Sequence, residues 1–248
     1  MQKKYWLILI IPILFNACSP SPTAQEIVDL AILAHGGKAF EKFQVDFDFR
    51  DKHYTAIRNG GEFTYIRAFT DSTGTYRDIL NNAGFSRFRN DTLQTLPVER
   101  STAFTNSVNS VIYFALLPFG LNDAAVVKKL ISEEEVRGKN YFVVKISFKQ
   151  EGGGTDFEDE FLYWIESEKF IVDYLAYSYH TNGSGIRFRE AINPQKVGGI
   201  LWQDYINYKA ADEKDTSLQQ LMPLFKDGKL IELSRIELKN IQVRTDFN

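Results

Sequence analysis

The sequence predicts a mainly β (α+β) fold: a strongly curved antiparallel sheet with an N-terminal helix and a central helical insert on its concave side. Three observations carry this prediction. Apolar residues alternate with a period of two in many short stretches along the 248-residue chain. Helical spacing is confined to short stretches near the start and middle, with no strand–helix alternation of the kind that builds parallel sheets. Aromatic residues are abundant (20 Phe, 12 Tyr and 3 Trp), and such side chains favour strands and bulky interiors.

The N-terminus comes before that pattern. Lys3 and Lys4 precede an uncharged run from Tyr5 to Phe15, well short of the ~20 residues that a membrane-spanning helix needs. A basic start, a short apolar core and small Ala17 are the parts of a signal peptide, residues 1–17. Cys18, the sole cysteine, follows directly. It has no Cys/His companions for a metal site, no base beside it for nucleophilic chemistry and no second cysteine for a disulfide. The segment resembles a bacterial lipoprotein signal, reading Phe15-Asn16-Ala17-Cys18 where the usual lipobox is Leu-Ala-Gly-Cys or close to it. That resemblance implies lipid on Cys18, a lipidated tether over 18–23 and a membrane partner reached through the anchor. Several acyl chains make such attachment stable where one is marginal. Ser19 in place of Asp, and no acidic run after the cysteine, imply an outer-membrane lipoprotein facing the periplasm.

The remainder, 24–248, reads as a single β domain. Thr23 to Ala34 is the first helix, with Ile27, Leu30, Ala31 and Ala34 on one face, Thr23 and Glu26 at capping-box spacing, and Gly36-Gly37 to end it. Phe43 to Arg50 alternates cleanly, and strands follow at His53–Arg58, Gly61–Thr70 and Thr75–Asn81. Phe85–Phe88 and Thr92–Leu96 flank the hairpin signal Asn90-Asp91. The period then changes. Thr102 to Leu117 carries Val108, Val111, Ile112 and Ala115 at helical spacing and stops before Pro118, and Ala124–Ile131 reads as a second short helix capped by Asp123. From Tyr141 the chain is β again: Tyr141–Lys149, Asp159–Glu166, Ile171–His180, Ile186–Ile192, Ile200–Tyr208 and Leu233–Asp246, with Asn182-Gly183 in a hairpin. The apolar phase of the last strand shifts from Ile236 and Leu238 to Ile241 and Val243, which predicts a bulge near Asn240.

This order of elements resembles the LolA/LolB-like superfamily of outer-membrane lipoprotein-sorting proteins, through "AQEIVDLAILAHGGKAFEKFQ", "GKNYFVVKISF", "DEFLYWIESEKFIVDYLAY" and "KVGGILWQDYINY". In that superfamily a half-open barrel holds acyl chains beneath a helical lid, so the resemblance extends the curved sheet to a half-open β-barrel and implies a hydrophobic-ligand role.

Nothing in the sequence asks for an enzyme. His35, His53 and His180 are far apart; His35 is expected to close the first helix and the other two to sit on surface strands. Glu133-Glu134-Glu135 and Glu158-Asp159-Glu160 lack calcium-loop spacing and read as solvated turns. Gly152-Gly153-Gly154 lacks the Lys-Ser/Thr of a phosphate loop, and neither Ser110 nor Ser184 sits in a nucleophile elbow. No metal site, cofactor or catalytic residue is expected. Removing 1–17 leaves 27 basic against 32 acidic residues, a charge of −5 that is no footprint for nucleic acid.

What remains is apolar surface. Phe161, Tyr163 and Ile165 oppose Leu162 and Trp164, while Phe170, Val172, Tyr174 and Ala176 oppose Ile171, Leu175, Tyr177 and Tyr179. Both faces are therefore covered, or one lines a cavity. The candidate pocket combines Phe161, Tyr163, Trp164 and Tyr174 with a roof of Val111, Ile112, Leu116, Leu117 and Phe119. The expected function is non-enzymatic binding or shuttling of a hydrophobic ligand such as a lipid. The alternative is a structural or interaction subunit of an envelope complex with a filled core.

Overall fold

The computed structural model describes residues 21–154, 157–180 and 184–245; Cys18, the segment before it and the Asn182-Gly183 turn lie outside the described residues. Helix α1 (Ala24–His35) starts at Thr23, whose Oγ1 accepts from the Glu26 N–H while the Glu26 carboxylate accepts from the Thr23 N–H at 2.7 Å. This is the predicted capping box. Gly37 beyond its end takes φ +51°, the left-handed geometry expected there. The buried stripe differs from the predicted one. Ile27, Val28, Ala31 and His35 are buried, whereas Leu30 is 38% exposed and Ala34 half-buried. The helix is wedged between two apolar surfaces, Ile32 touching both, so its buried arc is rotated toward Val28 and away from Leu30.

Strands β1 (Lys42–Phe49), β2 (Lys52–Asn59), β3 (Glu62–Asp71), β4 (Gly74–Asn81), β5 (Gly84–Arg89) and β6 (Thr92–Leu93) form an antiparallel meander. Phe43, Val45 and Phe47 of β1 are fully buried and the residues between them only partly, as the alternation predicts. Asn90 and Asp91 both take positive φ (47° and 61°), the conformation a two-residue hairpin requires. Helix α2 (Val98–Ala115) then crosses the concave side. It starts directly after Pro97, ahead of the predicted Thr102.

A second meander follows: β7 (Val126–Val136), β8 (Lys139–Phe148), β9 (Phe161–Glu166), β10 (Val172–Tyr179), β11 (Gly185–Val197) and β12 (Ile200–Lys209). The helix predicted over Ala124–Ile131 is instead the start of β7. Val126 and Leu130 face the core in alternation, Val126–Val136 pairs along β8, and cross-strand pairing overrides the weak helical signal of Ala124-Ala125. The Glu133–Glu135 run lies on this strand and is no turn.

Helix α3 (Leu218–Lys226) was not predicted. It covers the outer face of the second sheet with Leu218, Leu221, Met222 and Phe225, against Trp164, Tyr174 and Phe188. The predicted strand Leu233–Asp246 is two strands. β13 (Ile231–Ile236) pairs with β12, and after Glu237 the chain crosses so that β14 (Leu238–Arg244) pairs with β1. Asn240 has φ +55° at the register slip opposite Asp46–Asp48, the bulge expected there. The result is two seven-stranded antiparallel sheets stitched by β13–β14 on one side, with β6 and β7 as outer edges on the other. That is a curved, half-open β architecture, as predicted.

Candidate functional site

A cavity of about 1160 Å³ lies between α2 and the inner faces of both sheets. Its floor is largely aromatic and aliphatic: Phe49, Phe85, Phe148, Phe161, Tyr177 and Tyr205 take part, with Ile236 and Leu238 from the β13–β14 crossing. Its other wall is α2, which presents small and polar residues, among them Ala103, Asn106, Ser107 and Ser110, before Val111 and Phe114. Gly153 and Gly154 of the β8–β9 loop stand at the wall beside Asp159.

Two different kinds of contact hold α2 in place. Its apolar side puts Val108, Ile112 and Leu116 into the core of the first sheet. At its N-terminal half a buried clasp is built on Asp78, which is fully enclosed. Arg67 donates to Asp78 Oδ2 through Nε and Nη2 at 2.9 and 2.6 Å, and through Nη1 to Ser107 Oγ at 2.7 Å. Arg87 donates to both Asp78 oxygens, and its guanidinium lies 3.5 Å from the Phe104 ring centroid. At the other end, Tyr113 and Phe114 meet the second sheet. The Tyr113 and Tyr163 hydroxyls are 3.4 Å apart, and Phe114 lies 5.1 Å from Tyr177, which stacks on Phe161 at 5.5 Å.

The tyrosines in this wall are held protonated. Burial pushes Tyr113 and Tyr205 up to about 12 and Tyr163 well above the ordinary phenol value, so their hydroxyls serve as hydrogen-bonding groups at neutral pH. Charge enters through β11. Arg187 is paired, donating to Glu213, the Ile186 carbonyl and Tyr179 Oη. Arg189, 7% exposed, donates to Tyr177 Oη at 2.9 Å and packs 3.7 Å from the Phe114 ring centroid.

Of the predicted pocket residues, Val111 and Phe161 line the cavity. Tyr163 lies on the same face but is packed beneath, fully buried, and Leu117 joins the same core. Ile112 and Leu116 are buried against the first sheet, where Phe119 packs at a tilt on Phe40, ring centroids 5.0 Å apart, under the Arg58 guanidinium. Trp164 and Tyr174 lie on the opposite face of the sheet, under α3, with Trp164 Nε1 donating to Glu134. They cannot share a pocket with Phe161, because adjacent strand residues point to opposite faces. Val172 also moves: a register shift between Val172 and Tyr174 puts it on the inner face with Leu175 and Tyr177.

Arg189, Phe114, Tyr177 and Tyr205 were missing from the predicted site. Arg187 and Arg189 sit two apart on a strand, so one face carries two guanidinium groups, and that signal was present in the sequence. His53 lies on β2 as expected and pairs with Asp48, while His180 follows the end of β10 and pairs with Asp159; both side chains are about half-exposed. His35 goes further than expected. It is fully buried, with Nδ1 2.8 Å from the Ala31 carbonyl, and burial lowers its pKa. Among the described residues no three His, Cys, Asp or Glu side chains gather as a metal site would need.

Among solved structures, a LolA superfamily protein from Nitrosomonas europaea is 13% identical, with 92% of this chain and 96% of that chain covered at a TM-score of 0.52. A DUF1329 family protein from Desulfovibrio piger is 10% identical over the same shares, at a TM-score of 0.54. These likenesses show that the fold is LolA-like, as the sequence resemblance implied. No curated protein matches the chain. A family model matches residues 3–238, nearly the whole length, and by that match the chain belongs to the family described as a family of unknown function (DUF6503).

Proposed function

We propose that the protein is a bacterial envelope lipoprotein that binds or shuttles a hydrophobic ligand without catalysing a reaction. The observation that carries this reading is the cavity. At about 1160 Å³ it exceeds the roughly 300–1,000 Å³ typical of small-molecule pockets. Its two walls differ in chemistry: an aromatic floor suits acyl chains, and the polar side of α2 suits an amphiphile over a bare hydrocarbon. The open cavity supports this reading over the scaffold alternative, which calls for a filled interior. In the proposal Cys18 carries the lipid anchor, residues 18–23 form the tether, 24–248 form one domain, and the protein faces the periplasm from the outer membrane.

Native mass spectrometry of the purified protein tests the cargo, with added mass of a lipid expected. Ser110→Trp places a bulky ring in the cavity at an exposed position of α2, so lipid uptake should fall while the melting temperature stays within about 2 °C. Unchanged uptake in that variant, or no saturable uptake in the wild type, would reject the carrier. Cys18→Ser should abolish metabolic fatty-acid labelling and release a soluble periplasmic protein; label that survives would reject the anchor.

A further inference from the structure

We propose that Arg189 is the head-group anchor of this cavity, binding the anionic head, carboxylate or phosphate, of a ligand whose acyl chain lies along the aromatic floor. The inference rests on the carrier reading and adds the chemical class of the ligand.

Arg189 lines the cavity and is 7% exposed, yet it forms no ion pair with a carboxylate among the described residues. Its neighbours explain why. Glu190, next in sequence, points to the other face of the sheet, where it pairs with Arg137 and accepts from Tyr208 Oη. Glu213 is taken by Arg187. Asp159, which lines the same cavity, accepts from the backbone and ring nitrogens of His180 at 3.2 Å each, and its ion pair is with that ring.

What surrounds the guanidinium instead is aromatic. Phe114 lies 3.7 Å away, Tyr177 5.2 Å and Tyr205 5.9 Å. Ring faces offset part of the cost of burying a cation but accept few of its hydrogen bonds. Tyr177 Oη takes one bond from Nη2, and Nε is buried with no partner. An arginine cannot escape by losing its proton, so a buried, unpaired donor on a fixed positive charge persists as a standing electrostatic demand. The remaining donors form a planar fork, which matches the paired oxygens of a carboxylate or phosphate. Phe161 and Tyr177 continue from this point as stacked rings along the floor, the surface an attached chain would cover.

The test uses the purified protein stripped of bound lipid and three probes of equal chain length: palmitate, palmitoyl lysophosphatidate and hexadecanol. In the wild type the two charged probes should bind about tenfold or more tightly than the alcohol, the scale of a charge-assisted hydrogen-bond pair. Arg189→Gln should remove that preference, the two anions losing about tenfold more affinity than hexadecanol. Arg189→Lys, which keeps the charge and loses the fork, should fall between, and it serves alone if the Gln variant does not fold. The tighter of the two anions identifies the head group as carboxylate or phosphate, and either supports the proposal. Equal binding of acid and alcohol in the wild type, or an anion preference that survives Arg189→Gln, would overturn it and leave the carrier reading intact. Failure of all three probes in the wild type would overturn the carrier reading and this inference with it.

Discussion

Gly198 shows how one backbone position can govern a junction. It takes φ +59° in the turn between β11 and β12, and a Cβ there would lie 2.3 Å from Val243 Cβ on β14. The turn of one sheet therefore rests on a strand of the other, and Gly198→Ala should lower stability by about 1–3 kcal/mol through left-handed strain and overpacking. A melt matching wild type would mean that the sheets do not meet there. His35 makes a second residue-scale prediction. Burial lowers its folded pKa, while the Ala31 carbonyl, Gln203 and Asp173 oppose that shift. Protonation therefore favours the unfolded chain, so the stability His35 contributes is complete above its unfolded pKa of about 6.5 and is lost as pH falls through that value. Between pH 8 and 5 the melting temperature of wild type should drop more steeply than that of His35→Leu; parallel curves would remove His35 as the cause.

At the scale of elements, α1 and α2 each have a side that the apolar pattern alone assigns incompletely. On α1, Leu30→Asp should cost little, because Leu30 is 38% exposed, whereas Ala31→Asp puts a carboxylate into a fully buried site and should cost several kcal/mol. Thermal melts of the two variants side by side check the rotation of the helix, and equal losses would contradict it. On α2, the Asp78 clasp carries two guanidinium groups on one enclosed carboxylate. Asp78→Asn leaves both arginines underpaired, and breaking a buried pair in this way costs about 3–5 kcal/mol. Loss of the clasp should also raise hydrogen exchange in the N-terminal half of α2, which is held through Ser107 and Phe104. Leu117 is 4% exposed in the core beyond α2, so Leu117→Asp should unfold the protein before it affects a ligand.

For the whole molecule, the decisive feature is the crossing at Glu237. β13 closes one sheet and β14 closes the other, so a single run of chain holds the half-barrel's stitched side together. Leu238 is both a core residue of the first sheet and part of the cavity wall. A chain ending at Glu237 would lose the pairing along β1 together with Leu238, Ile241 and Val243. The expected loss exceeds the roughly 2–5 kcal/mol of one large core truncation, with a bared sheet edge that favours aggregation. Size-exclusion chromatography and a melt would read this; a soluble monomer of wild-type stability would show that β14 is dispensable.

Strand content was legible in the sequence because period two is a local property. The Phe43–Phe49 alternation, the Asn90-Asp91 hairpin and the bulge at Asn240 each depend on a few neighbouring residues, and each is present. So does the capping box on Thr23. Strict alternation by itself separates Phe161 and Tyr163 from Trp164, and it sets Arg187 and Arg189 on one face of β11 in the same way. α3 was legible too, with Leu218, Leu221, Met222 and Phe225 at helical spacing behind Ser217 and Gln220, but Pro223 interrupts the pattern. Other features were decided only by the tertiary structure. Whether 124–131 is helix or strand depends on β8, where Ile146 pairs with Lys128. Which arc of α1 is buried depends on two sheets that meet around it. The cavity, and the lack of a counter-ion for Arg189 among the described residues, arise from how α2, β10, β11 and β12 converge. A sequence specifies the residues on each face of an element, whereas a void or an unpaired charge is a property of what several faces fail to fill once they have packed.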